Sequence, residues 1–261
     1  MKLNFLIMAS FAAIATLASC SNQGEKEVII GKPDIKVENG KFTPEVLKAM
    51  AKVNGAQVSP DGSKILFGVK YESIELNKGN NELWIMDIDG SNQQKITETA
   101  SSEGNAAWLS DSKRIAFTYP VDGKPQLFVM NADGSNRKQL SNIEKGLEGF
   151  LISPDETKIA VISTVKYGQR TNDMYPELDK ASGKIVDDLM YKHWDEWVTE
   201  IPHTFVADID FNSGIGELKD ILEGEPCEAP MRPFGGSESL AWTADSKSII
   251  YVSRETTGLE Y

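Results

Sequence analysis

Apolar residues in this chain fall in short runs separated by turns, not at the three-to-four spacing of an amphipathic helix. One word of turn plus apolar run occurs four times. Val58-Ser59-Pro60-Asp61-Gly62-Ser63-Lys64-Ile65-Leu66-Phe67 recurs as Trp108-Leu109-Ser110-Asp111-Ser112-Lys113-Arg114-Ile115-Ala116-Phe117, in which Ser110 reads as the counterpart of Ser59. It recurs again as Ile152-Ser153-Pro154-Asp155-Glu156-Thr157-Lys158-Ile159-Ala160-Val161 and as Trp242-Thr243-Ala244-Asp245-Ser246-Lys247-Ser248-Ile249-Ile250-Tyr251. Pro presets the turn dihedral, Asp caps the turn backbone and Gly or Ser accepts the tight bend. The β-branched run that follows predicts a strand buried on both faces.

A second word repeats in phase with the first. Leu83-Trp84-Ile85-Met86-Asp87-Ile88-Asp89-Gly90-Ser91-Asn92 matches Leu127-Phe128-Val129-Met130-Asn131-Ala132-Asp133-Gly134-Ser135-Asn136, each a strand ending in an Asp-Gly hairpin. Two hairpins per period of about 45 residues predict one four-stranded sheet per repeat, the signature of a propeller blade. The expected fold is all-β: an incomplete β-propeller of about three and a half four-stranded blades with one irregular, partly helical insertion. That insertion covers 165–202, because Ile159 to Thr164 reads as a strand and the next strand-like run is Thr204 to Ile209. Since propellers close with about four to eight blades, the chain reads as the N-terminal section of a longer protein.

The first residues carry a different message. Met1-Lys2 and the apolar stretch Leu3 to Leu17 form an export signal too short to span a bilayer. Leu17-Ala18-Ser19-Cys20 resembles the bacterial lipobox, in which the cysteine thiol receives the lipid. The expected organisation is a signal peptide at 1–19, lipidated Cys20 with a tether at 20–45, and the propeller section at 46–261. The membrane is then a partner through the lipid anchor, and the location is the cell envelope, as an outer-membrane lipoprotein or in the periplasm. With Cys20 acylated, Cys227 is left without an intramolecular disulfide partner.

Charge narrows the function. Lys plus Arg number 27 against 39 Asp plus Glu, a net charge of -12, and no basic stripe interrupts the acidity, so nucleic acid is not an expected partner. His193, His203 and Cys227 match no zinc spacing, and neither metal nor cofactor is expected.

The lipobox, the Ser-Pro-Asp repeats, the insertion Asp187-Asp188-Leu189-Met190-Tyr191-Lys192-His193-Trp194-Asp195-Glu196-Trp197-Val198 and the stretch Glu228-Ala229-Pro230-Met231-Arg232-Pro233-Phe234-Gly235-Gly236 together resemble the prolyl oligopeptidase family of serine peptidases. The resemblance is to its exported dipeptidyl peptidases of the Bacteroidetes type and covers essentially the whole chain. It implies a propeller that caps a C-terminal α/β-hydrolase domain carrying a Ser, Asp and His triad, with oligopeptides as substrates. None of the triad lies in this chain, so no catalytic residue is assigned. Gly235-Gly236-Ser237-Glu238-Ser239 lacks the last Gly of a nucleophile elbow and precedes a strand.

The contribution expected of this section is to gate access and to recognise the substrate N-terminus. Binding a free ammonium calls for carboxylates in a partly desolvated cleft. Asp195, Glu196 and Glu200 supply them beside Trp194 and Trp197, and Arg232 is a candidate carboxylate contact. If Asp187 to Glu200 is a helix, Glu196 and Glu200 lie one turn apart on one face. The other reading of these residues is packing: the aromatics fasten the insertion and the acids form a solvated face. The alternative function is a non-catalytic envelope propeller that binds protein partners, similar to the periplasmic propeller of the Tol system.

Overall fold

The computed structural model describes residues 28–178, 180–183, 185 and 198–254. After α1 (Pro44–Ala49), whose first turn is capped by the Thr43 hydroxyl, come four antiparallel sheets built from consecutive strands. The first is β1 (Lys52–Val58), β2 (Lys64–Ser73), β3 (Lys78–Asp87) and β4 (Gln94–Lys95). The second repeats it as β5 (Gly104–Trp108), β6 (Arg114–Val121), β7 (Lys124–Asn131) and β8 (Lys138–Gln139). In the third, β9 (Gly149–Ile152), β10 (Lys158–Lys166) and β11 (Glu200–Asp210) pair in order, and β12 (Gly214–Ile215) and β13 (Lys219–Asp220) both pair with β11. A short α2 (Thr171–Met174) lies between β10 and β11, and β14 (Leu240–Trp242) with β15 (Ile249–Tyr251) opens a fourth sheet. This is the expected incomplete propeller.

The apolar runs are continuous because each sheet is pressed between two others. On β6, Ile115 and Phe117 join Leu66, Leu83 and Met130 in the core between the first and second sheets. Ala116, one residue out of phase, faces the opposite way. It joins Leu127, Val129, Ile159, Val161 and Ile209 between the second and third sheets.

The repeated turn has one hydroxyl-centred geometry in three of the four sheets. Ser59 Oγ donates to Asp61 at 2.6 Å and accepts from the Lys64 N–H at 3.0 Å. Ser153 with Asp155, and Thr243 with Asp245, do the same. The second sheet departs from the sequence alignment. Leu109, not Ser110, stands where Ser59 stands, because the Leu109 N–H bonds the Arg114 carbonyl as the Ser59 N–H bonds that of Lys64. Leu109 is buried in the inter-sheet core, and Arg114 Nε holds Asp111 instead, at 2.7 Å.

The residue after each turn Asp has a left-handed backbone: Gly62 at φ +73°, Ser112 at +56°, Glu156 at +58° and Ser246 at +58°. Outside glycine this conformation costs about 1–2 kcal/mol. The three non-glycine residues share a task that offsets it, each accepting a backbone N–H from the turn of the preceding sheet. Ser112 Oγ takes the Asp61 N–H at 3.0 Å, Ser246 Oγ takes that of Asp155 at 3.1 Å, and the Glu156 carboxylate takes that of Ser110. Each turn is thereby tied to the next blade, at the turn Asp in the first and third sheets and one residue earlier in the second. At Gly134, where φ is +84°, an added Cβ would lie 2.3 Å from the Ile96 carbonyl oxygen of the first sheet, so close approach as well as φ requires glycine.

The first two sheets are also joined by a buried ionic cluster. Glu82 on β3 accepts from Asn80 Nδ2 at 2.9 Å, Thr97 Oγ1 at 2.8 Å and the Thr99 N–H at 3.0 Å. Glu103, ahead of β5, accepts from Arg137 Nη1 at 3.0 Å and from Thr99 Oγ1 at 3.0 Å. The Arg137 guanidinium lies 4.1 Å from the Tyr119 ring centroid, with Phe117 and Phe128 beside it. Of the two carboxylates, Glu103 pairs with the guanidinium, and Glu82 is held by neutral donors. Burial, reinforced by the charge of Glu82 and opposed by Arg137, pushes the Glu103 carboxyl up to about 7.

The four repeated Asp turns lie at one end of the sheets. The inter-sheet connections, the β2–β3 and β6–β7 hairpin tips and the long β10–β11 connection lie at the other. Lys166 pairs with Glu200, so this last connection runs 167–199, within the 165–202 read from the sequence. Glu200 is therefore on a strand, not on the helix considered for Asp187 to Glu200; the register with β10 overrides the helical spacing.

Ser112→Ala, which keeps the left-handed backbone and removes the acceptor, should destabilise the protein by about 1 kcal/mol. Ser112→Gly, relieved of the strain, should cost less; chemical denaturation of both variants decides it. Between the ordinary value of 4.5 and about 7, folded Glu103 holds a proton that the unfolded chain has released. Stability should therefore fall as pH rises through that window, by about 1–3 kcal/mol in all. Glu103→Gln should flatten this slope in unfolding curves recorded from pH 4.5 to 7.5; an unchanged slope would assign the dependence to other groups.

Candidate functional site

The connection end of the third sheet collects the charged residues of greatest interest. Glu200 enters β11 beside Thr164 of β10. Its carboxylate accepts from Thr164 Oγ1 at 3.0 Å, Lys145 Nζ at 3.3 Å and Arg170 Nη2 at 2.8 Å. Partial burial works to raise its carboxyl, but these three donors outweigh it and hold the group below the usual carboxylate range. Arg170 is itself positioned by its backbone N–H, which bonds Asp173 Oδ2 at 2.7 Å at the start of α2. The Tyr167 N–H bonds the Thr199 carbonyl at 3.0 Å and closes the base of the long connection.

The β13–β14 connection supplies the second part of the site. Glu228, buried, accepts from the Arg232 backbone N–H at 2.9 Å and from its Nε at 2.6 Å, a local bidentate hold on one residue. Glu148, just before β9, supplies the third carboxylate. Surrounding protein raises its carboxyl from the ordinary value; Arg232 counters this, while the charges of Glu228 and Glu200 add to it. Burial, with Glu228 nearby, also raises the Tyr167 phenol. Three carboxylates and the cations Lys145, Arg170 and Arg232 thus share one end of one sheet.

Of the residues singled out in the sequence, Glu200 and Arg232 are brought to this end, though each is held by a partner from its own surroundings. Trp194, Asp195, Glu196, Trp197 and the lipidation candidate Cys20 lie outside the described residues. Glu148, Glu228, Lys145 and Arg170 were not legible as a group, because they come from three connections and share no spacing. His203, on β11, is buried with Nδ1 2.8 Å from Asp220 Oδ2. Ser237 lies in a 3₁₀ turn, Ser237–Ser239, that leads into β14.

A family model for the TolB β-propeller domain matches residues 28–190. Dipeptidyl-peptidase 5 of Porphyromonas gingivalis is 48% identical over 220 residues, 84% of this chain and 32% of that protein. The enzyme of the same name from Porphyromonas endodontalis is 39% identical over 224 residues, 86% of this chain and 32% of its own. Among solved structures, an acylaminoacyl peptidase of Pyrococcus horikoshii superposes with a TM-score of 0.49 at 14% identity, covering 67% of this chain and 26% of that one. The chain thus spans about a third of the length of the curated relatives it matches, 32% of each.

Glu228→Gln should loosen the 228–236 segment by removing the charge that holds Arg232, at a cost of about 1.5–3 kcal/mol. Limited proteolysis should then cut within this segment sooner than in the unaltered protein. Equal cutting rates would show that the backbone contacts suffice.

Proposed function

This chain belongs to the TolB β-propeller domain family, and from that premise we propose that it is the propeller section of an exported serine dipeptidyl peptidase of the prolyl oligopeptidase type. The observation that carries the reading is the 48% identity to a dipeptidyl-peptidase 5 across 84% of the chain. In this reading the section gates access to a hydrolase domain elsewhere in the same protein and recognises the free amino terminus of oligopeptides. Lipidated Cys20 tethers it to the envelope membrane.

The geometry supports amino-terminal recognition in one respect. The long 167–199 connection, which carries Trp194, Asp195, Glu196 and Trp197, leaves β10 at the end where Glu148, Glu200 and Glu228 gather. An enzyme that counts two residues from a free ammonium needs such carboxylates at a fixed distance from its nucleophile, so that only the correct bond reaches it. The Glu200 carboxylate, already held by Lys145 and Arg170, is oriented before substrate arrives, which lowers the ordering cost of binding.

The test is hydrolysis by the complete gene product. Dipeptidyl chromogenic substrates with a free amino group should be cleaved, their N-acylated forms should not, and a serine-directed reagent should abolish the activity. Glu200→Gln should raise KM about three- to tenfold with kcat nearly kept, the equivalent of roughly 1 kcal/mol of binding. A complete product that binds envelope proteins and cleaves no dipeptidyl substrate would overturn this reading in favour of a partner-binding propeller.

A further inference from the structure

The chain ahead of the first sheet is fastened at two places and loose between them. At the first, Ile30 is buried, and Ile29, Pro33 and Ile35 line a cleft formed with α1 and the β2–β3 hairpin tip. At the second, Thr43 Oγ1 accepts the Val46 N–H at 3.4 Å to cap α1, and Lys48 and Lys52 both pair with Glu72 of β2. Residues 36–42, in between, form neither helix nor strand, and every one of them is exposed. A backbone bond from the Lys41 N–H to the Glu38 carbonyl, 3.1 Å, closes a turn over Asn39 at φ +53° and Gly40 at +64°.

Exposed lysines elsewhere sit in firmer turns. Lys113 and Lys247 stand two residues after a turn Asp, whose carboxylate takes their N–H groups at 2.8 and 3.2 Å. A protease must draw several residues into an extended strand before it can cut, and turns tied internally and to the next blade resist this. The 36–42 turn opens by giving up a hydrogen bond that water replaces. It presents Lys36 before Val37 and Lys41 before Phe42, with Val37 56% and Phe42 66% exposed.

Resting on the reading of Cys20 as a lipid anchor, we propose that residues 36–42 are a processing site, at which a lysine-directed endopeptidase of the envelope releases the protein from the membrane. Water adds across the Lys36–Val37 or the Lys41–Phe42 peptide bond, leaving a carboxylate on the lysine and an ammonium on the residue after it. The groups recognised are the two lysine ammoniums, which such an enzyme holds through a carboxylate in its pocket. Everything from α1 onward keeps its contacts after the cut, so the released protein stays folded.

The experiment treats isolated envelope membranes carrying the full-length protein with a limiting amount of a lysine-specific endopeptidase. Protein entering the supernatant should begin at Val37 or Phe42 and melt within about 2 °C of the uncut form. A Lys36→Gln, Lys41→Gln double variant should be released about tenfold more slowly or less. The medium of cells making the unaltered protein should hold the same released species. First cuts elsewhere in the chain, equal release of the double variant, a released form with another first residue, or a medium lacking it would overturn the processing site while leaving the anchor reading intact. Uncut protein that washes off the membranes before protease is added would instead overturn the anchor reading, and the site with it.

Discussion

A β-sheet with two apolar faces is unstable unless both are covered, and everything in this structure follows from that requirement. The middle strands bring Ile115 and Phe117 to one neighbour and Ala116 to the other, so no sheet is complete by itself. Stacking in a ring is the arrangement in which every sheet has a neighbour on each side. It also leaves the strand ends, rather than the faces, open to solvent and to ligands.

Apolar faces set which surfaces meet but hold their relative position only loosely. Polar contacts supply the register. Ser112, Glu156 and Ser246 occupy a backbone region that disfavours them and reach back to the N–H groups of Asp61, Ser110 and Asp155. Each such bond ties a turn that is already internally satisfied, so it fixes one blade against the next with little loss of freedom. The Glu82, Glu103 and Arg137 cluster does comparable work at the opposite end of the first joint, within the protein interior. There burial of Glu103, reinforced by the charge of Glu82, makes the joint sensitive to protonation.

The two ends of the sheets are consequently unlike. One end is built from tight Asp turns whose polar groups are consumed locally. The other consists of connections of varied length, and there the chain is free to add residues without disturbing the stack. The 167–199 connection, the Glu228 to Gly236 segment and Glu148 all belong to this second end. Their convergence at the third sheet is a property of the topology: a connection between middle strands and a connection to the next sheet must leave from the same end.

The repeats, the four turns, the all-β class and the position of the long connection were legible in the sequence, because turn chemistry and period-two burial act over a few residues and repeat in phase. Even the one misplaced alignment, Ser110 against Ser59, was off by a single position, since Leu109 replaces a hydroxyl with a core side chain. The grouping of Glu148, Glu200 and Glu228 with Lys145, Arg170 and Arg232 was not legible. Local spacing suggested a helical partner for Glu200, whereas pairing across β10 and β11 placed it on a strand beside Thr164. What the chain encodes locally it declares in its order of residues; which charges end up together depends on stacking and register, and those exist only once distant segments have packed.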